Sequence, residues 1–210
     1  MIRYTSNKIK ARELLEQNKS KDHFVILKDS TIMLSAPHCV SQTRLGKHKI
    51  AERGTLPFAL SLQENNNVSL IFKTKNNFDD ANFDEVSKYK SKLKSLVESE
   101  NISHIIDFHG LAKTRTCDVN LGIHLGQNIS NDIKLFDKLV ADLRKNGFIV
   151  DIDIPFSANI KTISGSMKLA FNHLWTIQVE INCDITNNPK NLKKCKLLAS
   201  VFDNWIKEIK

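Results

Sequence analysis

SHIIDFHG, residues 103–110, is the segment on which the reading of this chain turns. Ile105, Ile106 and Phe108 form an apolar run of strand length bounded by polar residues, which predicts a buried β-strand. Asp107 and His109 stand two apart on it, and residues two apart on an extended chain share a face. In a layered α/β sheet the working side chains gather just past the carboxyl ends of strands. This run ends there on a carboxylate and an imidazole.

The rest of the chain repeats the same grammar. HFVILK (23–28) and STIMLS (30–35) read as strands around a KDS turn, and VSLIFKT (68–74) as a third. CDVNLGIHL (117–125), FIVDIDIP (148–155) and WTIQVEIN (175–182) read the same way. Between them lie helical patterns. One is Ser6 to Asn18 with Ser6 as cap, and another is GTLPFALSLQ (54–63), where Pro57 is tolerated in the first turn. Phe83 to Glu100 sets Val86, Tyr89, Leu93, Leu96 and Val97 at helical spacing. Ser130 to Asn146 is capped by Ser130 and stopped by Gly147, and Pro189 to Lys210 closes the chain. Such alternation predicts an α/β fold in three layers, α/β/α, with a mixed, largely parallel sheet, and one domain over residues 1–210.

Composition narrows the function. No apolar run approaches the ~18–20 residues of a membrane-spanning helix, and the first twenty residues lack the apolar core of a signal peptide. Cys39, Cys117, Cys183 and Cys195 form no CxxC pair, so neither a disulfide framework nor a cysteine zinc site is expected. The expected setting is the reduced cytoplasm. Lys+Arg 31 against Asp+Glu 23 gives a net charge of +8. The excess is lysine dispersed among asparagines, and the aromatics lie in apolar runs, so a solvated surface is expected in preference to a nucleic-acid or other polyanion interface.

Four segments carry polar groups to strand ends. SAPHCVSQTRLGKHKIAERGT (35–55) brings His38 and then a polar loop with Arg44, Glu52 and Thr55. IIDFHGL brings Asp107 and His109, CDVNLG follows Arg115, and IQVEIN holds Glu180 among apolar neighbours. Two imidazoles and a carboxylate with a position left open make a catalytic zinc set. A further carboxylate, for which Glu180 is best placed, would serve as base.

In this order, with the FDDAN stretch ending at Asn82 and GFIVDIDIPFSANI, the segments resemble the N-formylglutamate amidohydrolase family, from about Leu34 to Asn182. The resemblance implies a phosphorylase/hydrolase-like α/β/α fold related to zinc carboxypeptidases. It implies one divalent ion, zinc, held by His38, Glu52 and His109, with Glu180 as general base and then acid. Arg115 would meet a substrate carboxylate or the developing oxyanion, and Arg44 and Asn82 would bind substrate. PHCV and Ala158-Asn159 stand where the family usually carries glycines.

The expected activity is hydrolysis of an amide in a small acidic N-acyl amino acid or peptide. Asp107 is expected to orient an imidazole, that of His109 or of His38, or else to cap a loop N–H. Lys161 is a second choice for the substrate carboxylate. His48 is expected to be exposed, and His104 and His124 to lie within strands. A thiol nucleophile at Cys39, a family member that binds ligand without turnover, and polyanion binding are the alternatives.

Overall fold

The computed structural model describes residues 4–209. Helix α1 (Tyr4–Gln17) leads to strands β1 (His23–Ile26) and β2 (Ile32–Ala36), then to β3 (Gln42–Arg44) and β4 (Lys47–Lys49). Next come α2 (Thr55–Asn66), β5 (Ser69–Lys73), α3 (Lys88–Ser99), β6 (His104–Leu111) and β7 (Val119–Gly122). The chain ends with α4 (Ile133–Lys145), β8 (Val150–Ile152), α5 (Ile163–Ala170), β9 (Trp175–Asn182), α6 (Cys183–Asn187) and α7 (Leu192–Ile209).

Seven strands form one sheet in the order β1-β5-β2-β6-β9-β7-β8. The central strands β5, β2, β6 and β9 run parallel, while β1 and the β7-β8 pair run against their neighbours. From β2 the chain passes through α2 to β5 on one side, then returns through α3 to β6 on the other. The carboxyl ends of β2 and β6 therefore flank the point where strand order reverses, the usual place for a ligand crevice in such sheets.

Residue alternation assigns the two faces. Ile32, Leu34, Ile106, Phe108, Ile177 and Val179 pack with apolar residues of α2, α4 and α7 in the larger core. Met33, Ile71 and Ile105 point the other way, into a smaller cluster with α3 and α5. By the same period of two, Ser35, Asp107, His109, Gln178 and Glu180 share that second face. The larger core is tied by three rings from three elements. Phe58, Phe108 and Phe202 have centroids 5.5, 5.9 and 5.8 Å apart. Among the described residues no helix is long and apolar enough to cross a membrane.

Several boundaries differ from those the sequence predicts. α3 begins at Lys88, not near Phe83, because Ser87 caps it by accepting from Tyr89 N and Lys90 N. Val86, expected on the buried stripe, is 85% exposed. α4 is capped by Asp132, which accepts from Leu135 N at 3.0 Å, so Ser130 falls outside it. α1 starts before Ser6, which is within its first turn, and Lys210 lies outside the described residues. His124 is not in a strand: β7 stops at Gly122, and His124 and Leu125 take φ of 52° and 54°. The β3-β4 ribbon and α5 were not predicted.

Phe58→Ala is expected to destabilise the protein by about 3–5 kcal/mol, since it removes a ring shared by three elements. Urea unfolding of the variant checks this; a loss below about 1 kcal/mol would mean that the three-ring contact is not a support of the core.

Candidate metal centre

His38 lies two residues past β2, behind Pro37, and is buried. Thirteen residues separate it from Glu52 in sequence, but most of them are the β3-β4 excursion. Glu52 N donates to His38 O at 2.8 Å and closes that loop. The ribbon turns through Leu45-Gly46, both with positive φ (50° and 73°), as a two-residue hairpin turn requires. Glu52 thus returns to the side of His38. Gly110, at the end of β6, lets it settle: a Cβ there would stand 3.1 Å from Glu52 Cβ, and Gly110 N donates to Glu52 Oε2 at 2.8 Å.

The two imidazoles face each other through their Nδ1 atoms, 3.2 Å apart. His38 Nδ1 is 3.0 Å from Glu52 Oε1, and His109 Nδ1 is 3.6 Å from Glu52 Oε2. Each ring has a carboxylate behind it: His38 Nε2 lies 2.8 Å from Asp80 Oδ1, and His109 Nε2 lies 2.8 Å from Asp107 Oδ2. A neutral ring bonded this way carries its proton on Nε2 and directs the Nδ1 lone pair inward. Two lone pairs and a carboxylate then converge on one point, which a proton or a cation must occupy to offset their repulsion. Ligand atoms of His38, Glu52 and His109 all lie within 4.8 Å of one another. Two nitrogens bound to zinc at about 2.0–2.1 Å with tetrahedral geometry stand about 3.3 Å apart. The 3.2 Å between the Nδ1 atoms fits that demand, and the imidazole–carboxylate donor set fits zinc.

The electrostatics agree. Burial opposes charging of both histidines, yet Glu52 and Asp80 hold the pKa of His38 above the ordinary imidazole value. Asp107 and Glu52 do the same, more strongly, for His109. Burial would raise Glu52 and Asp80, but the adjacent imidazoles hold both well below the carboxylate range. Arg44 assists at Asp80, donating from Nε at 2.7 Å while lying over the Phe83 ring.

Glu180 is the register partner of His109 on the next strand. Burial pushes its carboxyl up to about 7, with Glu52 adding to the rise and His109 opposing it. Gln178 Nε2 donates to Glu180 Oε1 at 2.9 Å, and Asn82 Nδ2 donates to Gln178 Oε1 at 3.1 Å. Asn82 Oδ1 accepts from Ile163 N, which ties this chain to α5.

These groups open on a cleft of about 720 Å³. Arg44, Lys49 and Asn82 line it together with the three metal-site residues and Glu180, and Phe156 and Asn159 stand among the other lining residues. Arg115 is not brought to this lining: it is exposed on the turn after β6, and its carbonyl accepts from Asn182 Nδ2. Lys161 is exposed as well. His48 is exposed, as expected, and also lines the cleft. Cys39 is buried, donates to Lys73 O at 3.0 Å, and has its thiol pKa raised by burial, the opposite of an activated nucleophile. Asp80 and Gln178 were not singled out in the sequence. Asp80 sits within FDDAN, but nothing there distinguishes it from Asp79, whose side chain pairs with Lys73.

No protein-family model and no curated protein matches the chain. Solved structures do. N-formylglutamate amidohydrolase from Ralstonia eutropha superposes with a TM-score of 0.58 at 11% identity, covering 87% of this chain and 96% of that one. A bacteriophage poly-γ-glutamate hydrolase gives 0.54 at 12% identity, covering 90% and 89%. A metallo-carboxypeptidase from Pseudomonas aeruginosa gives 0.53 at 13% identity, covering 96% and 69%. The chain is structurally similar to these proteins, and its architecture is the phosphorylase/hydrolase-like fold.

The site makes stability depend on pH. His38 and His109 have folded pKa values above the 6.5 of a free imidazole, so their contribution is full below pH 6.5 and is lost as pH rises through the folded values. Glu52 and Asp80, depressed from 4.5 and 3.8, contribute above those values and lose that contribution in acid. The Tm of metal-free protein is therefore expected to fall between pH 6.5 and 9. Added zinc, which replaces the protons, is expected to raise Tm more at pH 8 than at pH 6. Equal zinc effects at the two pH values would contradict this reading.

Proposed function

We propose that the protein is a metal-dependent amidohydrolase that cleaves an amide of a small acidic N-acyl amino acid or peptide. The observation that carries the reading is the placement of Glu180 on the strand next to His109, in the cleft onto which the His38–Glu52–His109 cluster opens. The hydrolases of like fold lend support. The four free cysteines suit a reduced compartment such as the cytoplasm, and the chain is taken to work as one domain.

His38 and His109, through Nδ1, and Glu52 would hold one zinc ion. Bound there, zinc would lower the pKa of a water and polarise the scissile carbonyl. The protein's own groups do the rest. Asp80 and Asp107 keep both imidazole protons on Nε2, away from the ion. Glu180 Oε1 is held by Gln178, so the carboxylate has a fixed orientation when it takes a proton from the attacking water. The same carboxyl returns that proton to the leaving nitrogen, so the products are a carboxylic acid and a free amine. Burial raises the Glu180 carboxyl above the ordinary carboxylate range, which suits a group that must both take and return a proton.

Charge selects the substrate in this reading. Arg44 and Lys49 line the cleft and pair with a substrate carboxylate; Arg115, exposed on the turn after β6, is proposed only for a part of the substrate that reaches beyond that lining. Asn82 spends one amide hydrogen on Gln178 and offers the other to a substrate oxygen.

A panel of N-acyl glutamates, N-acyl aspartates and short glutamyl peptides tests the proposal, with zinc-dependent release of amine expected. Glu180→Gln is expected to keep its zinc and to lose at least about 10²-fold in turnover. Undiminished turnover in that variant would refute the role of Glu180. Absence of turnover across the panel with zinc bound would favour a protein that binds ligand only.

A further inference from the structure

A line of hydrogen bonds leaves the metal centre on the side away from the cleft. His109 Nε2 meets Asp107 Oδ2, and the other oxygen, Oδ1, accepts from Ser35 Oγ at 2.6 Å. Ser35 Oγ in turn lies 2.9 Å from the hydroxyl of Tyr89, which reaches in from α3 and lies 3.0 Å from Ile71 O as well. Ser35 and Asp107 are register partners on neighbouring strands. Ser35 and Asp107 are fully buried, and His109 and Tyr89 are 1% exposed.

We propose that Ser35 and Tyr89 are positioning residues for the metal ligand His109. The inference rests on the reading of His38, Glu52 and His109 as a zinc site, and adds to it two residues from outside the cleft. The hydrogens have one consistent direction. An ionised Asp107 can only accept, so Ser35 commits its single hydrogen to Asp107. The Ser35 oxygen is then left to accept, and it shares the single Tyr89 hydrogen with Ile71 O. Both oxygens of Asp107 are thereby occupied, one by Ser35 and one by His109, and the carboxylate plane cannot turn without leaving a buried charge short of a donor. That holds the His109 proton on Nε2 and its Nδ1 on the ion.

Packing alone does not account for these hydroxyls. Their neighbours on this face are Met33, Ile71, Ile105 and Leu93, an apolar cluster in which alanine or valine and phenylalanine would serve. A buried hydroxyl in such a setting is costly unless its bonds matter. The other imidazole is managed differently: Asp80 behind His38 is held by Arg44 and by Asn82 N. The His109 side depends on neutral groups supplied from α3 and β2.

The test is zinc affinity, measured with the metal alone by competition against a chromophoric chelator at pH 7.5. Tyr89→Phe removes a single oxygen and keeps the ring. Ser35→Ala removes the donor to Asp107. Thr176→Val is the control: its hydroxyl, also buried, donates to Ser164 O at 3.0 Å outside this line. Ser35→Ala is expected to weaken zinc binding by about 10–100-fold and Tyr89→Phe by severalfold. Thr176→Val is expected to lower only the Tm of the metal-free protein. Zinc affinities of Tyr89→Phe and of any folded Ser35→Ala within about twofold of wild type would overturn the proposal while leaving the metal site intact. A wild-type protein that binds no zinc would overturn the metal site, and this inference with it.

Discussion

The rest of the site follows from one repulsion. Two imidazole nitrogens stand 3.2 Å apart with a glutamate carboxylate beside them, and behind each ring an aspartate claims the other nitrogen. Lone pairs gathered this closely are unstable without positive charge among them. Protons serve in the metal-free protein, and the raised imidazole and depressed carboxylate pKa values express how strongly the cluster seeks them. A divalent ion meets the same demand with one charge centre. The fold can be understood as the apparatus that keeps these groups together against their own repulsion.

That apparatus is the unequal filling of the two sheet faces. The face toward α2, α4 and α7 is filled with apolar side chains, including the three-ring contact, and anchors the strands. The face toward α3 and α5 carries a smaller apolar cluster. Near the carboxyl ends of β2, β6 and β9 its inward positions pass to Ser35, Asp107, His109, Gln178 and Glu180. Strand alternation therefore does two jobs with one chain: odd and even residues of the same strand supply the core and the chemistry.

The central strands, the layered class and the candidacy of His38, His109 and Glu180 were legible in the sequence because each lies in or just past an apolar run, whereas Glu52, in a polar loop, was singled out through the family resemblance. Asp107 facing His109 was legible from their spacing. What was hidden depended on contacts between distant segments. Asp80 works through a turn that folds beneath His38, and its neighbour Asp79 looks the same in sequence yet pairs with Lys73. The β3-β4 ribbon turns on Leu45-Gly46, and a leucine at positive φ does not announce a hairpin as asparagine would. Val86 continued an apolar stripe on paper, but the Ser87 cap starts the helix after it. Arg115 stands close to His109 in sequence, and the turn after β6 carries it to an exposed position outside the cleft lining.

The net charge of +8 takes on a limited meaning beside this geometry. Arg44 and Lys49 are the positive groups that line the cleft with the acidic cluster beneath them, an arrangement suited to holding a small anion near a charged centre. The central claim is that His38, Glu52 and His109 together hold one metal ion. Calorimetric titration of zinc into metal-free wild-type protein and into His38→Ala tests it most directly. The account predicts about one equivalent bound with release of protons by the wild type, and loss of that binding in the variant. Less than about a tenth of an equivalent bound by the wild type, or binding unchanged by His38→Ala, would contradict it.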